Sequence, residues 1–272
     1  MKRLVHALAP RGAVNFAWNL AADLAELPAR RRDPRPRPWR VLHNVGGGEF
    51  YKTGEDFFTL FQDGVDLKPG ASVLDIGCGA GRMAFPICAA LNETGRYIGF
   101  DIAPGALAFA RRHVRGVCAI AFHHADLANR EYARRGAPAE AYVFPADDAS
   151  VDAAIATSVF SHILPGAAER YLAETGRVLR QGGRIMLTAF LVREAEHTTL
   201  STARLALKPF SETGYAVDAR HPERAMGFDE AAFLHWAHNA GLRLAGPIHR
   251  GDWRQAEAGG GEFQDRLVLQ KI

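Results

Sequence analysis

The chain has 272 residues, with 33 lysines and arginines against 30 acidic residues, a formal net charge of +3, 48% hydrophobic residues and 23% charged ones. That balance excludes a disordered chain, and the length suits one large α/β domain with additions or two small ones. The charge is too small for a broad nucleic-acid track, and three cysteines (Cys78, Cys88, Cys118) with no CxxC pair argue against a disulfide framework or a cysteine zinc site.

Taken in chain order, the first predicted element is an amphipathic helix over residues 14–27, with Val14, Ala17, Trp18, Ala21, Leu24 and Ala25 on one face. Its lack of basic residues disfavours a membrane surface, so it is assigned to packing, on the main domain or on a second copy in a homodimer. Residues 30–40 hold six arginines interleaved with Pro34, Pro36 and Pro38 and read as a solvated linker. Residues 1–40 therefore stand apart from a main domain over 41–272. No segment offers the roughly 18 apolar residues of a membrane span, and Arg11 interrupts any signal-peptide core, so a cytoplasmic location without stable membrane insertion is expected.

From about residue 70 strands and helices alternate. Ser72–Ile76 is a buried strand, followed after Gly81 by a helix carrying Met83, Ala84, Ile87, Cys88 and Leu91 that stops at Gly95. Tyr97–Asp101 is the second strand, Pro104 opens the next helix at its first position, and Ala119–His123 is the third strand. A fourth strand runs Ala153–Thr157, Pro165 starts a helix, and Gly182-Gly183 turns into a fifth strand over Arg184–Ala189. Residues 192–227 break the rhythm. A helix over Asp229–Ala240 then precedes Leu242–Ile248 and Arg266–Lys271, which have no helix between them and should pair antiparallel at the sheet edge. The fold class is thus a doubly wound, mostly parallel α/β sheet.

The most informative stretch is Val73-Leu74-Asp75-Ile76-Gly77-Cys78-Gly79-Ala80-Gly81-Arg82, a hydrophobic strand running into a glycine turn. Glycines there permit positive φ and let a ligand approach bare backbone. Asp75 sits at the strand's C-terminal end, where open α/β sheets bind ligands, and suits a positively charged group. Asp101 ends the next strand, 20 residues after Gly81, where a carboxylate can accept from both ribose hydroxyls. Gly79-x-Gly81-x-x-Ala84 also satisfies a dinucleotide fingerprint, but a pyrophosphate would meet the Asp75 carboxylate, and the antiparallel closing pair points the same way.

These residues resemble motif I of the class I S-adenosylmethionine-dependent methyltransferases. Tyr97–Asp101, His124-Ala125-Asp126-Leu127, Val151–Ile155 with Ser158–His162, and Arg177–Arg184 are similar to that family's later segments, in family order across residues 41–272. The resemblance implies S-adenosylmethionine as cofactor, with S-adenosylhomocysteine (SAH) as product. It implies that the backbone around Gly77, Cys78, Gly79 and Gly81 meets the methionine part and Asp75 its ammonium. It further implies that Asp101 and Ile102 hold the ribose, Asp126 and Leu127 the adenine, and Ser158 the approach to the sulfonium. The segment from Gly46 to Gly54, with Phe50 and Gly54, lies where related enzymes close a lid over the methionine carboxylate; it reads equally as a turn leading into a helix. Arg82 either reaches that carboxylate or braces the helix start.

Methyl transfer from a sulfonium needs alignment above all, and a hydroxyl acceptor needs a base as well. His162, just after the fourth strand, is the candidate base; the alternative is a helix-cap or supporting role. His197, in the insertion over 192–227 that reads as a substrate cover, and Asp265, with Gln264 before the last strand, are candidate acceptor contacts. His123-His124 cannot easily chelate one ion, since strand neighbours face opposite ways, so no metal is expected. The acceptor expected is a small molecule rather than nucleic acid, offering oxygen in preference to nitrogen. The rival readings are a nicotinamide-dependent oxidoreductase and a noncatalytic binding scaffold.

Overall fold

Residues Ser72–Ile76 are buried on both sides, as the central strand of a parallel sheet must be. The computed structural model describes residues 20–25, 27–28, 35–39, 49–129, 135–196, 200, 203–257 and 260–272. Its main elements are α1 (Phe50–Val65), β1 (Ser72–Ile76), α2 (Ala84–Ala90), β2 (Arg96–Asp101), α3 (Pro104–His113), β3 (Ala119–His124), β4 (Val151–Ala156), α4 (Pro165–Val178) and β5 (Leu179–Ala189). They continue with β6 (Leu191–Val192), β7 (Lys208–Pro209), β8 (Gly214–Ala216), β9 (Met226–Asp229), α5 (Glu230–Asn239), β10 (Leu242–Leu244) and β11 (Asp265–Lys271).

The main sheet has seven strands in the order β10-β11-β5-β4-β1-β2-β3. Strands β1 to β5 pair parallel, and β11 runs antiparallel to both β5 and β10. The expected fold class and closing pair are therefore present. The order reverses between β1 and β4, and at such a switch point the loops after the two strands part to leave a crevice. Strand alternation divides the core. Leu74, Ile76, Ile98 and Phe100 pack with Leu172, Phe233 and Ala237 from α4 and α5, while Val73, Tyr97 and Met186 pack with Phe61, Ile87 and Cys88 from α1 and α2 on the other face.

Local chemistry explains most boundaries. Pro104 and Pro165 occupy the first turns of α3 and α4, where the missing N–H has no intrahelical partner to lose. The Asp229 side chain caps α5 by accepting from Ala232 N at 2.8 Å. Strand β5 begins five residues before the expected Arg184. Leu179 pairs with Val151 directly after α4, and Gly182 at φ +78° lets residues 180–183 bulge out before Arg184 meets Ala153.

Two segments take a form that the sequence did not show. Within 14–27 only residues 20–25 and 27 are described; they are helical, but Leu24 is 53% exposed and Asp23 fully buried, so the predicted apolar face is not the packed one in this stretch. The described residues of the insertion over 192–227 have regular structure of their own. They build a second sheet, β6-β9-β8-β7, with its own core of Phe190, Val192, Leu200, Leu207, Tyr215 and Trp253. Beneath it the Arg254 guanidinium bonds both oxygens of the buried Asp265, the Glu196 carboxylate at 2.8 Å and the Leu191 carbonyl at 2.6 Å. Among the described residues no helix is long and apolar enough to cross a membrane.

Candidate active site

The chain turns sharply after β1. Gly77, Gly79 and Gly81 all take positive φ, at +70°, +53° and +85°. A Cβ on Gly77 would stand 2.5 Å from Val159 Cγ2, so the turns after β1 and β4 touch through a bare backbone. Gly77 N and Cys78 N both donate to the Phe100 carbonyl, at 2.9 and 3.0 Å, which ties the turn to the end of β2.

Two carboxylates flank this loop. Asp75 is buried on the α2 side of the sheet, where Tyr97 Oη donates to its Oδ2 at 2.6 Å. Burial pushes its pKa from 3.8 up to about 7, opposed by the Tyr97 hydrogen bond and reinforced by the nearby charge of Asp101. Asp101 Oδ2 accepts from Gly79 N at 2.8 Å and Oδ1 from Ala103 N at 2.7 Å. Burial raises its pKa as well, and the backbone N–H groups of Ala103, Gly79 and Ile102 pull it back. Each Asp101 oxygen keeps acceptor capacity beyond these bonds.

The far side of the crevice is built by the turn after β4 together with β5 and β11. Ser158 takes φ +59° and donates its N–H to Thr188 Oγ1 at 2.8 Å. Thr188 Oγ1 and Ser158 Oγ both donate to Gln264 Oε1, at 2.5 and 3.2 Å, and Gln264 Nε2 donates to Ser161 Oγ at 3.0 Å. His162 follows in the same short helical turn, Phe160–His162. Its Nδ1 lies 2.9 Å from the Glu223 carbonyl, and its own carbonyl accepts from Asn129 Nδ2 at 2.8 Å. A carbonyl can only accept, so Nδ1 carries the hydrogen and Nε2 of the neutral ring is the basic nitrogen.

Between these walls lies a cleft of about 560 Å³. Of the sequence-predicted residues, Asp75, Gly77, Cys78, Gly79, Arg82, Asp101, Ile102, Ser158 and His162 all line it. The structure brings them together from the ends of three strands, β1, β2 and β4.

Other predicted positions fall elsewhere, for reasons visible in the packing. Gly81 backs onto Ala110 of α3 and Val114 just past its end. Phe50 is the first residue of α1 and stacks edge-on against Tyr51 and Phe85, while a Cβ on Gly54 would lie 2.5 Å from the Arg82 carbonyl. From residue 50 on, the expected lid is thus a packed helix, and Thr53 and Phe57 are its residues at the cleft. Gly46 to Gly48 lie outside the described residues.

Asp126 is exposed and Leu127 buried, and neither lines the cleft. Backbone bonds from Ala128 N to the Ala137 carbonyl and from Ala137 N to the Asp126 carbonyl fold that loop onto itself, which leaves Asn129 as its residue at the cleft. Asp265 is fully buried beneath Arg254, with Leu191 N, Gly251 N and Trp253 Nε1 also donating to it, so it braces the second sheet and does not line the cleft. Its neighbour Gln264 faces the cleft instead, as strand alternation requires. His197 lies outside the described residues. Among the described residues none between 192 and 227 lines the cleft; Gly261 to Gln264 form that wall.

A family model described as a methyltransferase domain matches residues 74–185. Nocamycin O-methyltransferase of Saccharothrix syringae is 30% identical over 257 residues, which cover 78% of this chain and 85% of that protein. The chain belongs to the class I S-adenosylmethionine-dependent methyltransferases. An uncharacterized 37.1 kDa protein in transposon TN4556 of Streptomyces fradiae is 32% identical over 129 residues, 47% of this chain, and the chain spans 33% of that relative's length. In fold, this methyltransferase is similar to magnesium protoporphyrin IX methyltransferase (ChlM) of Synechocystis PCC 6803 with bound SAH, at TM-score 0.53 and 16% identity over 86% of this chain and 93% of that one.

The cofactor of a methyltransferase of this class is S-adenosylmethionine. The cleft suits it chemically: a buried carboxylate awaits a cation, a second carboxylate keeps acceptor positions, and bare glycine backbone leaves room for close approach.

Proposed function

We propose that this methyltransferase moves a methyl group from S-adenosylmethionine to an oxygen of a small, largely apolar acceptor. The observation that carries the choice of oxygen is His162, which stands at the cleft with its tautomer set by the Glu223 carbonyl, so that Nε2 can take a proton. A nucleophilic hydroxyl needs such a base near neutral pH. Bound S-adenosylmethionine supplies a methyl group already activated by a positive sulfur.

The chain's own residues then have separable tasks. Asp75 takes the ammonium end and Asp101 with Ile102 the ribose. The Gly77–Gly79 backbone lies along the methionine part. The turn at Ser158 leads to the reacting carbon. Methyl transfer would exchange the carbon–sulfur bond for a carbon–oxygen bond with SAH as the leaving group, and His162 Nε2 would take the hydroxyl proton. The apolar lining from Phe57, Met83, Val159, Ile163 and Phe263 favours a small organic molecule over a polymer, and the relative named a nocamycin O-methyltransferase supports the same class.

The test is SAH production from S-adenosylmethionine across matched hydroxyl and amine acceptors, with wild type and His162→Ala. Expected are turnover of hydroxyl compounds, a loss of about a hundredfold in the variant, and SAH affinity unchanged within about twofold. Undiminished turnover in His162→Ala, or turnover of amines alone, would refute the oxygen reading.

A further inference from the structure

Transfer to oxygen, the reading on which this inference rests, requires that the acceptor be held in line with the methyl group, and the wall opposite the glycine loop carries a side chain placed for it. Gln264 faces the cleft at the start of the last strand, beside the turn that bears His162. Every hydrogen around it can be assigned. Thr188 Oγ1 accepts from Ser158 N, so its own hydrogen goes to Gln264 Oε1. Ser161 Oγ donates to the Ser158 carbonyl at 3.0 Å, so it can only accept from Gln264 Nε2. Ser158 Oγ gives its hydrogen to Gln264 Oε1.

The amide is therefore locked with its oxygen saturated by two hydroxyls and its nitrogen using one of two hydrogens. What remains at the cleft is one N–H, a donor and not an acceptor. The cleft it faces also carries apolar side chains, Val159, Ile163 and Phe263. Ser161, which accepts from the amide, precedes His162 directly, so this donor is tied to the turn that bears the base.

We propose that Gln264 is a positioning residue for the acceptor, its remaining amide N–H donating to an oxygen beside the hydroxyl that is methylated. The acceptor is then a hydroxyl compound with a carbonyl next to that hydroxyl on an otherwise apolar ring. A hydrogen-bond donor in the same place on the acceptor would meet the N–H head-on and be rejected.

The experiment uses three matched phenols, 2-acetylphenol, 2-ethylphenol and 2-(aminomethyl)phenol, with SAH production as readout and calorimetric SAH titration as control. Wild type should prefer 2-acetylphenol to 2-ethylphenol by about tenfold or more in kcat/KM, the worth of one buried hydrogen bond. Gln264→Glu keeps the shape and the two accepted hydrogen bonds but replaces the N–H by oxygen, so it should reverse the preference toward 2-(aminomethyl)phenol. Gln264→Met should abolish preference without reversing it. SAH affinity should stay within about twofold throughout, because the change lies on the acceptor side. A wild type without the acetyl preference, a Gln264→Glu variant that keeps it, or SAH affinity lost on either substitution would overturn the assignment. A wild type that binds SAH yet uses none of the phenols would overturn the acceptor class, and one that binds no SAH would refute the methyl-transfer reading itself.

Discussion

Replacing Asp75 with Asn should make the protein more stable and worse at its task. The carboxyl is buried and its pKa is pushed from 3.8 to about 7. The native state thus holds a proton that the unfolded chain releases at lower pH. For a carboxylate raised in this way the penalty appears as pH climbs past the unfolded value and is complete above the folded one, where it amounts to about 4 kcal/mol. At pH 5 only about 1 to 2 kcal/mol of it is present. Asn keeps the acceptor for Tyr97 Oη and removes the charge, at the expense of an amide NH2 that needs its own partners. The variant should therefore gain about 2 to 4 kcal/mol at pH 8, a rise in Tm of about 5 to 15 °C, and the gain should shrink by about 3 kcal/mol on going to pH 5. Denaturant titrations at both pH values measure this directly. The same variant should bind SAH at least about tenfold more weakly, through loss of a charge-assisted contact to the ammonium. A gain independent of pH, or no gain at all, would refute the claim that burial penalises this carboxylate. Unchanged SAH affinity would remove it from the ammonium contact.

In the wild type, SAH affinity should weaken by about tenfold between pH 8 and pH 6, as the carboxylate of Asp75 takes up its proton; calorimetry across that range checks it, with Asp75→Asn as the flat control. Gly77→Ala places a Cβ 2.5 Å from Val159 Cγ2 at φ +70°, and should cost about 1 to 3 kcal/mol in thermal or denaturant unfolding together with most SAH binding. Asp265→Ala strands the Arg254 guanidinium and three donors, so a loss of about 3 to 5 kcal/mol in stability is expected; an Asp265→Ala variant of normal Tm would return that residue to the list of acceptor contacts. Asp101→Asn should weaken SAH binding by at least about tenfold, since the amide offers the ribose a single acceptor oxygen already in contact with a backbone N–H.

The cofactor half of the molecule was legible because its signals are local. A run of residues buried on both faces, glycines where φ is positive, an acid at the end of each of two strands, and prolines in the first turns of α3 and α4 each carry their meaning within a few positions. The second sheet was not legible. Its strands β6 and β7 are two residues long, too short for any period, and Leu200 and Leu207 build its core with Trp253 from far along the chain. Direction was also hidden. Nothing in the order Gln264-Asp265 says which of the two faces the cleft until the register of β11 against β5 is known. Asp126 fits a motif by position, yet with the loop closed onto Ala137 it is Asn129 from this loop that lines the cleft. Thr188 and Thr53 were missed because a lone threonine in a strand or helix has no pattern that marks it.

The contact that sets the His162 tautomer comes from a backbone carbonyl, at residue 223 in the short turn Pro222–Arg224. A carbonyl is the same whichever side chain the residue bears. Point substitutions at 223 that preserve the turn would therefore leave the imidazole as it is, while the loss or gain of a single residue nearby would carry the carbonyl out of reach and let the ring choose its other tautomer. Over evolutionary time such a contact constrains spacing and not identity, and a comparison of amino acids column by column would pass over it.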